Sequence, residues 1–159
     1  MADLKNLSVE EFAAVTGSDA PAPGGGSVAA LAGGLGAALA EMVANLTIGK
    51  KRYADVEDEI KGLLARMEDL QKEFVILADR DEEVFAPLAA AYGLPTGTEE
   101  EKAHKAAVME QRLLDASYVP LEVMEKAVEM LGILDVLAVK GSRMAVSDVG
   151  VGVQFVRTA

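Results

Sequence analysis

The sequence predicts an all-α fold, a bundle of about five helices built around a central helix rich in glycine and alanine. Three observations carry this expectation. Apolar residues recur at alternating four- and three-residue intervals over long stretches, which is the period of one helix face. Two S/T-x-x-E capping boxes, Ser8 to Glu11 and Thr98 to Glu101, announce helix starts. No segment alternates apolar and polar residues as a half-buried strand would, and no internal repeat or low-complexity segment is present. With 159 residues the chain is about the length of one domain, so residues 1–159 are expected to form a single helical domain.

The first element follows from Leu7-Ser-Val-Glu-Glu-Phe12, where Ser8 caps, Glu11 reaches back, and Leu7 and Phe12 occupy the staple positions. Gly17 ends this short helix, and APAPGGGS follows as a loop. A second helix is expected from about Ser27 to Ile48, ending at Gly49. Its rows Gly26-Ala30-Gly34-Ala38 and Ala32-Gly36-Ala40-Ala44 place small residues at every fourth position, which lets another helix backbone approach. Such a helix is weak alone, since each interior glycine costs up to about 1 kcal/mol. It therefore needs neighbours.

From Val56 the seam runs Val56, Ile60, Leu63, Met67, Leu70, Phe74, Leu77, Val84 and Leu88, with Asp81 standing in register in the gap. Pro87 is expected to kink the end of this helix, and YGLPTGT to form a loop. The Thr98 box opens a helix to about Tyr118, and Pro120 suits the first turn of another. That helix has two candidate buried faces, Leu121-Met124-Val128-Leu131-Asp135-Ala138 or Val123-Ala127-Met130-Leu134-Leu137. KGSR reads as a turn, with Ser147 as the cap and Asp148 as the first residue of a last helix. GVGVQFVRTA stops without a glycine, a cap or a charged last turn beyond Arg157, so a further C-terminal part is expected to be missing.

Composition narrows the chemistry. Without cysteine there is no disulfide framework, thiolate metal site or cysteine nucleophile. With His104 the one histidine, no two-histidine metal site forms in one chain, and no metal is expected. A net charge of −11 disfavours nucleic acid and anionic membranes as partners. Val28 to Ile48 carries one formal charge, Glu41, yet Glu41, Asn45 and Thr47 interrupt it and a protein-surrounded helix fits better than a membrane span. The start MADLKNLSVEEF lacks the features of a secretory signal, so a cytoplasmic location is expected.

Each candidate for chemistry has a plain alternative. Gly24, Gly25, Gly26 and Ser27 offer backbone N–H groups at a helix start, but neither phosphate-loop pattern is present and a simple Pro/Gly loop is the alternative. Lys50, Lys51 and Arg52 suit an anionic ligand tail or, equally, the C-terminal end of a helix dipole. Tyr53 and Tyr118 either stack on a ring or sit at the core rim. His104, between charged neighbours, reads as solvated surface. A carboxylate on an apolar seam such as Asp81 must be paired, hydrogen-bonded or protonated, which serves acid–base work or a structural ion pair. Ser147 and Asp148 read as a helix start as readily as a site.

Taken together, PAPGGGSVAALAGGLGAALAEMVANLTIGKKRY, LADRDEEVFAPLAAAYGLP and KGSRMAVSDVGVG resemble the cyclodeaminase/cyclohydrolase family of folate enzymes, across nearly the whole chain. The resemblance implies an all-helical protein without cofactor, dimeric or larger, acting on a one-carbon derivative of tetrahydrofolate. It maps the PGGGS motif onto Pro23 to Ser27, the LTxGKKxY segment onto Leu46 to Tyr53, the acidic helix position onto Asp81 and the SD pair onto Ser147 and Asp148. Two reactions are implied: hydrolysis of 5,10-methenyltetrahydrofolate, or ring closure of 5-formiminotetrahydrofolate with loss of ammonia. Both pass through a tetrahedral carbon between two nitrogens, for which a carboxylate beside a developing cation suffices. The expected roles are Asp81 or Asp148 stabilising the cationic centre and handling the proton, the Gly24 to Ser27 amides against polar substrate groups, and Lys50, Lys51 or Arg52 receiving the glutamate tail, with Tyr53 and Ser147 as further substrate-binding residues. The absence of an attached transferase domain favours the cyclohydrolase. A non-catalytic helical assembly protein is the alternative from another class.

Overall fold

The computed structural model describes residues 4–159, and their elements are five α-helices joined by loops and three short 3₁₀ turns. They are α1 (Val9–Thr16), α2 (Gly25–Thr47), α3 (Glu57–Tyr92), α4 (Glu99–Lys140) and α5 (Val146–Thr158). Both capping boxes form. The Ser8 hydroxyl accepts from the Glu11 amide at 3.2 Å while Glu11 accepts from the Ser8 amide at 2.8 Å. Thr98 and Glu101 reciprocate at 3.1 and 3.0 Å. Past the end of α2, Gly49 adopts a φ of 75°, a left-handed conformation that glycine takes without strain.

Two boundaries differ from expectation. Pro120 does not open a new helix, because α4 runs unbroken through it from Glu99 to Lys140. Proline removes one backbone donor and crowds the carbonyl four residues earlier, but Val119 and Val123 on either side are buried. Their burial outweighs a local penalty of about 3 kcal/mol. Pro87 lies inside α3, which continues to Tyr92, where the expected loop begins. Ser147 is not a cap, since α5 begins one residue before it and the capping position is Ala145. Ser147 and Asp148 are thus its second and third residues.

The chain forms two compact units. The first comprises the described part of Met1–Val28 with Ile76–Glu122. Its buried side chains include Leu4, Ser27, Leu77, Leu88, Ala91 and Val119. Arg80 pairs with Glu122 at 2.7 Å, and Lys105 donates to the carbonyls of Tyr92 and Leu94.

The second unit comprises Ala29–Val75 with Val123–Ala159. In α4 it buries Val123, Ala127, Met130, Leu134 and Leu137, which settles the choice of face, and Asp135 is exposed. Helix α2 buries Val43 and Thr47 here but offers bare backbone at Gly33 and Gly36. A Cβ on Gly33 would fall 2.6 Å from the Phe74 ring, and one on Gly36 would fall 3.0 Å from the Gly152 carbonyl and 2.5 Å from Val156. Bare backbone is therefore what lets α3 and α5 pack against α2. Buried Thr47 accepts from the Ser142 amide at 2.8 Å and donates to the Val43 carbonyl, joining the end of α2 to the turn before α5. Across α3 and α4, Arg66 bridges Glu129 and Glu73 while Lys126 holds Glu73 at 2.6 Å.

By length and apolar composition α2 alone among the described helices is long enough to cross a membrane, but its small-residue faces are buried within protein. One acid lies within it. Glu41 has a buried Oε1 without a hydrogen-bond partner among the described residues. Burial, and then the Glu68 charge, push its carboxyl above the usual range, and Lys72 opposes them.

Two predictions follow from this packing. Gly36→Ala should lower stability by about 1–3 kcal/mol in denaturant titration, because its neighbours are backbone and packed side chain. Gly62→Ala, where an added Cβ meets nothing, should raise it by up to about 1 kcal/mol. For Glu41, a folded pKa above the unfolded value means the ionised form opposes folding at neutral pH. Glu41→Gln should accordingly raise the melting temperature at pH 7, and the difference should fade as pH falls below the ordinary glutamate range near 4.3.

Candidate functional site

The first unit contains a cavity of about 290 Å³ around the start of α2. Gly24, Gly25 and Gly26 form one side of it and Asp81, Val84 and Phe85 of α3 another, while Ala116 and Pro120 of α4 close it. The chain enters through a cis Ala22–Pro23 peptide, and the first helical hydrogen bond runs from the Val28 amide to the Gly24 carbonyl at 3.1 Å. The amides of Gly25, Gly26 and Ser27 precede that bond and have no partner among the described residues. They are the free donors a helix start always leaves.

Asp81 stands beside them. The buried Ser27 hydroxyl donates to Asp81 Oδ2 at 3.0 Å, which orients the carboxylate. A methyl group on Gly26 would occupy the space that the carboxylate fills. Gly26 is thus needed as glycine because of what touches it. Its backbone helicity is ordinary. On the far wall stand Ala116 and Pro120 of α4, and Pro120 has no backbone N–H to donate. Phe85 and Val84 supply apolar surface suited to a flat ring.

The second unit contains a larger cavity of about 550 Å³ at the C-terminal end of α2. Lys50, Arg52 and Tyr53 line it together with Ser142, Arg143, Met144 and Asp148. The Arg143 amide donates to the Tyr53 hydroxyl at 3.0 Å. That bond is the chief reason the Tyr53 phenol is held below its usual range; Ser142 and the charges of Arg52 and Arg143 act in the same direction. The Arg52 guanidinium lies 5.9 Å from the Tyr53 ring centre, within cation–π range.

The residues singled out from the sequence therefore fall into two groups. Gly24, Gly25, Gly26, Ser27 and Asp81 meet in the first unit, and Lys50, Arg52, Tyr53 and Asp148 meet in the second. Lys51 and Ser147 are exposed and line neither cavity. Exposed, too, are His104 and Tyr118. Phe85, Ala116, Pro120, Ser142 and Arg143 were not distinguished as site residues by sequence reasoning. The KGSR signal read only as a turn, and Pro120 only as a helix start. No group of three or more His, Asp or Glu residues among the described residues could hold a metal ion.

If Ser27 orients Asp81, then Ser27→Ala should leave the melting temperature within a few degrees of wild type, since one part-buried hydrogen bond is worth about 0.5–1.5 kcal/mol. The Asp81 carboxyl resonance in NMR should shift in that variant, and an unmoved resonance would show that the bond does not form in solution.

Comparison with known proteins adds the following. Methenyltetrahydrofolate cyclohydrolase of Methylorubrum extorquens is 42% identical over 148 residues, covering 93% of this chain and 71% of that protein. Formimidoyltransferase-cyclodeaminase of Mus musculus is 32% identical over 155 residues, and the chain spans only 29% of its length. The crystal structure of formiminotetrahydrofolate cyclodeaminase from Thermotoga maritima superposes with a TM-score of 0.84 at 32% identity, over 97% of this chain and 73% of that one. The formiminotransferase-cyclodeaminase family model matches residues 8–159. With its all-helical fold and Asp81 set against the PGGGS turn, the chain belongs to the formiminotransferase-cyclodeaminase family.

Proposed function

We propose that this chain hydrolyses 5,10-methenyltetrahydrofolate to 10-formyltetrahydrofolate, without a cofactor beyond the folate itself and in the cytoplasm. The observation that carries the reading is the Asp81 carboxylate, held by Ser27 under Gly26 in a cavity with free amides and an aromatic wall. The substrate's reactive carbon is cationic and lies between two nitrogens. A fixed carboxylate stabilises that cation and then accepts a proton from the attacking water. Addition of the water oxygen gives a tetrahedral carbon. Breaking its bond to N5 leaves the formyl group on N10 and, in total, releases one proton. The amides of Gly25, Gly26 and Ser27 are donors for polar groups of the substrate.

Asp81 is favoured over Asp148 as the acid–base group because Asp148 lines a cavity rich in cations. Within the second unit, Lys50, Arg52 and Tyr53, with Lys51 and Ser147 nearby in sequence, are the candidates for anionic groups of a folate in this reading. The name of the Methylorubrum relative supports hydrolysis. The cyclodeaminase name of the Thermotoga structure supports the second reaction, loss of ammonia from 5-formiminotetrahydrofolate with ring closure. It uses the same tetrahedral carbon and the same carboxylate. A homodimer completes the proposal, since Leu35, Met42 and Leu46 leave apolar surface exposed on α2.

Loss of the methenyl absorbance on mixing with the protein measures the reaction. Wild type should accelerate it well beyond buffer, and Asp81→Asn should slow the enzymatic rate by about 10²–10⁴-fold with its melting temperature preserved. Asp148→Asn should act mainly on KM. Conversion of 5-formiminotetrahydrofolate with no acceleration of methenyl hydrolysis would select the second reaction instead.

A further inference from the structure

Within the first unit, one wall of the Asp81 cavity is held to the rest only lightly. Pro21, Ala22 and Gly24 belong to that wall, and they end a segment that begins at Leu4. Leu4 is 4% exposed and Pro23 is buried, but none of residues 5–22 between them is buried. Helix α1 has no buried side chain at all, and Val9 is 88% exposed. The hydrogen bonds of this segment turn inward: Ser8 and Glu11 cap each other, Thr16 donates to the Phe12 carbonyl and Ser18 to that of Val15. Among the described residues, no hydrogen bond or ion pair joins residues 7–22 to the rest of the unit. Just upstream a latch does. The Lys5 amide donates to Asp79 Oδ1 at 3.3 Å and the Lys5 ammonium lies 3.4 Å from Oδ2, two residues before Asp81 on α3.

At the other end of the segment, Gly24 and Gly25 have no packing reason to be glycine. A Cβ on either would meet nothing within 4 Å, and neither has the left-handed backbone of Gly49. Gly26 differs from both, since the Asp81 carboxylate occupies the place of its missing Cβ. What Gly24 and Gly25 still supply is backbone freedom, at the point where the segment joins α2. A segment with its own internal bonds, a latch at one end and free backbone at the other opens at low cost.

We propose that residues 5–23 are a gate over the Asp81 cavity, latched through Lys5 to Asp79 and pivoting on Gly24 and Gly25. Opening breaks the two Lys5–Asp79 contacts and carries Pro21 and Ala22 away from Asp81, Val84 and Phe85. Closing restores the wall and keeps bulk water from the carboxylate. A gate alters how fast a ligand enters and leaves, because the fraction of time it stands open multiplies both rates; the affinity stays the same. A residue that touches the ligand alters the affinity instead. That the ligand passing this gate is a folate rests on the reading above, whereas the motion itself does not.

Surface plasmon resonance of the full chain, with 5-formyltetrahydrofolate as the probe, tests it together with a measurement that needs no ligand. Asp79→Ala should raise the association and dissociation rates alike by about two- to fivefold. Gly24→Ala should lower both by about the same factor, and Kd should stay within about twofold of wild type in each. The chain has no cysteine, so Leu4→Cys introduces a single thiol at the buried latch, whose labelling rate reads opening directly. Labelling should quicken when Asp79→Ala is added and slow when Gly24→Ala is added. A changed Kd with an unmoved association rate would make Gly24 a ligand contact and overturn the gate, as would labelling that neither substitution alters. If labelling responds as expected while 5-formyltetrahydrofolate does not bind, the gate stands and the folate reading fails. If methenyltetrahydrofolate is hydrolysed while the two substitutions move neither binding rates nor labelling, the gate fails and the function stands.

Discussion

The structure depends on the missing side chains of α2. In the first unit the absent Cβ of Gly26 makes room for the Asp81 carboxylate. In the second, Gly33 accommodates the Phe74 ring and Gly36 meets the carbonyl of Gly152, itself a glycine. A helix with this many glycines is poor in isolation. Its stability comes from the contacts that glycine permits, so the residues that weaken the helix locally are those that allow the packing. The same feature that stabilises the second unit positions the candidate catalytic group in the first.

Electrostatics are organised around this packing. Most cations are tied to acids on the surface, where each pair contributes little individually. The Arg66–Glu129–Glu73–Lys126 group is the most connected of them, and its hydrogen bonds hold Glu73 and Glu129 below the usual carboxylate range. Such pairs stabilise the fold above the ordinary glutamate range and lose that effect as pH falls through the lowered values. Against this background, unpaired Lys50, Arg52 and Arg143 around one cavity stand apart. Asp81 is distinct in another way: its partner is the neutral hydroxyl of Ser27.

Much of this was legible in the sequence, for definite physical reasons. The two capping boxes are local, and both form. The α3 seam is periodic enough to predict burial of Ile60, Met67, Leu70, Phe74 and Leu77, and to make Asp81 visible as the residue out of place. Pro120 misled because a proline penalty is local while the burial of Val119 and Val123 comes from tertiary packing. The buried face of α4 was ambiguous because two apolar rows compete on it, and only neighbouring helices decide between them. Arg143 was hidden because its contact with Tyr53 joins positions far apart in sequence. The partner of Asp81 was equally invisible, since Ser27 lies 54 positions away.

Membership of the formiminotransferase-cyclodeaminase family rests on the match over residues 8–159, and the proposed chemistry rests on where Gly26 allows Asp81 to stand. A Gly26→Ala variant tests that dependence most directly. Only the end of a side chain has to move to admit the methyl group, so the account predicts a folded protein with near wild-type melting and methenyltetrahydrofolate hydrolysis reduced by at least about tenfold. Full activity in a folded Gly26→Ala protein would contradict it.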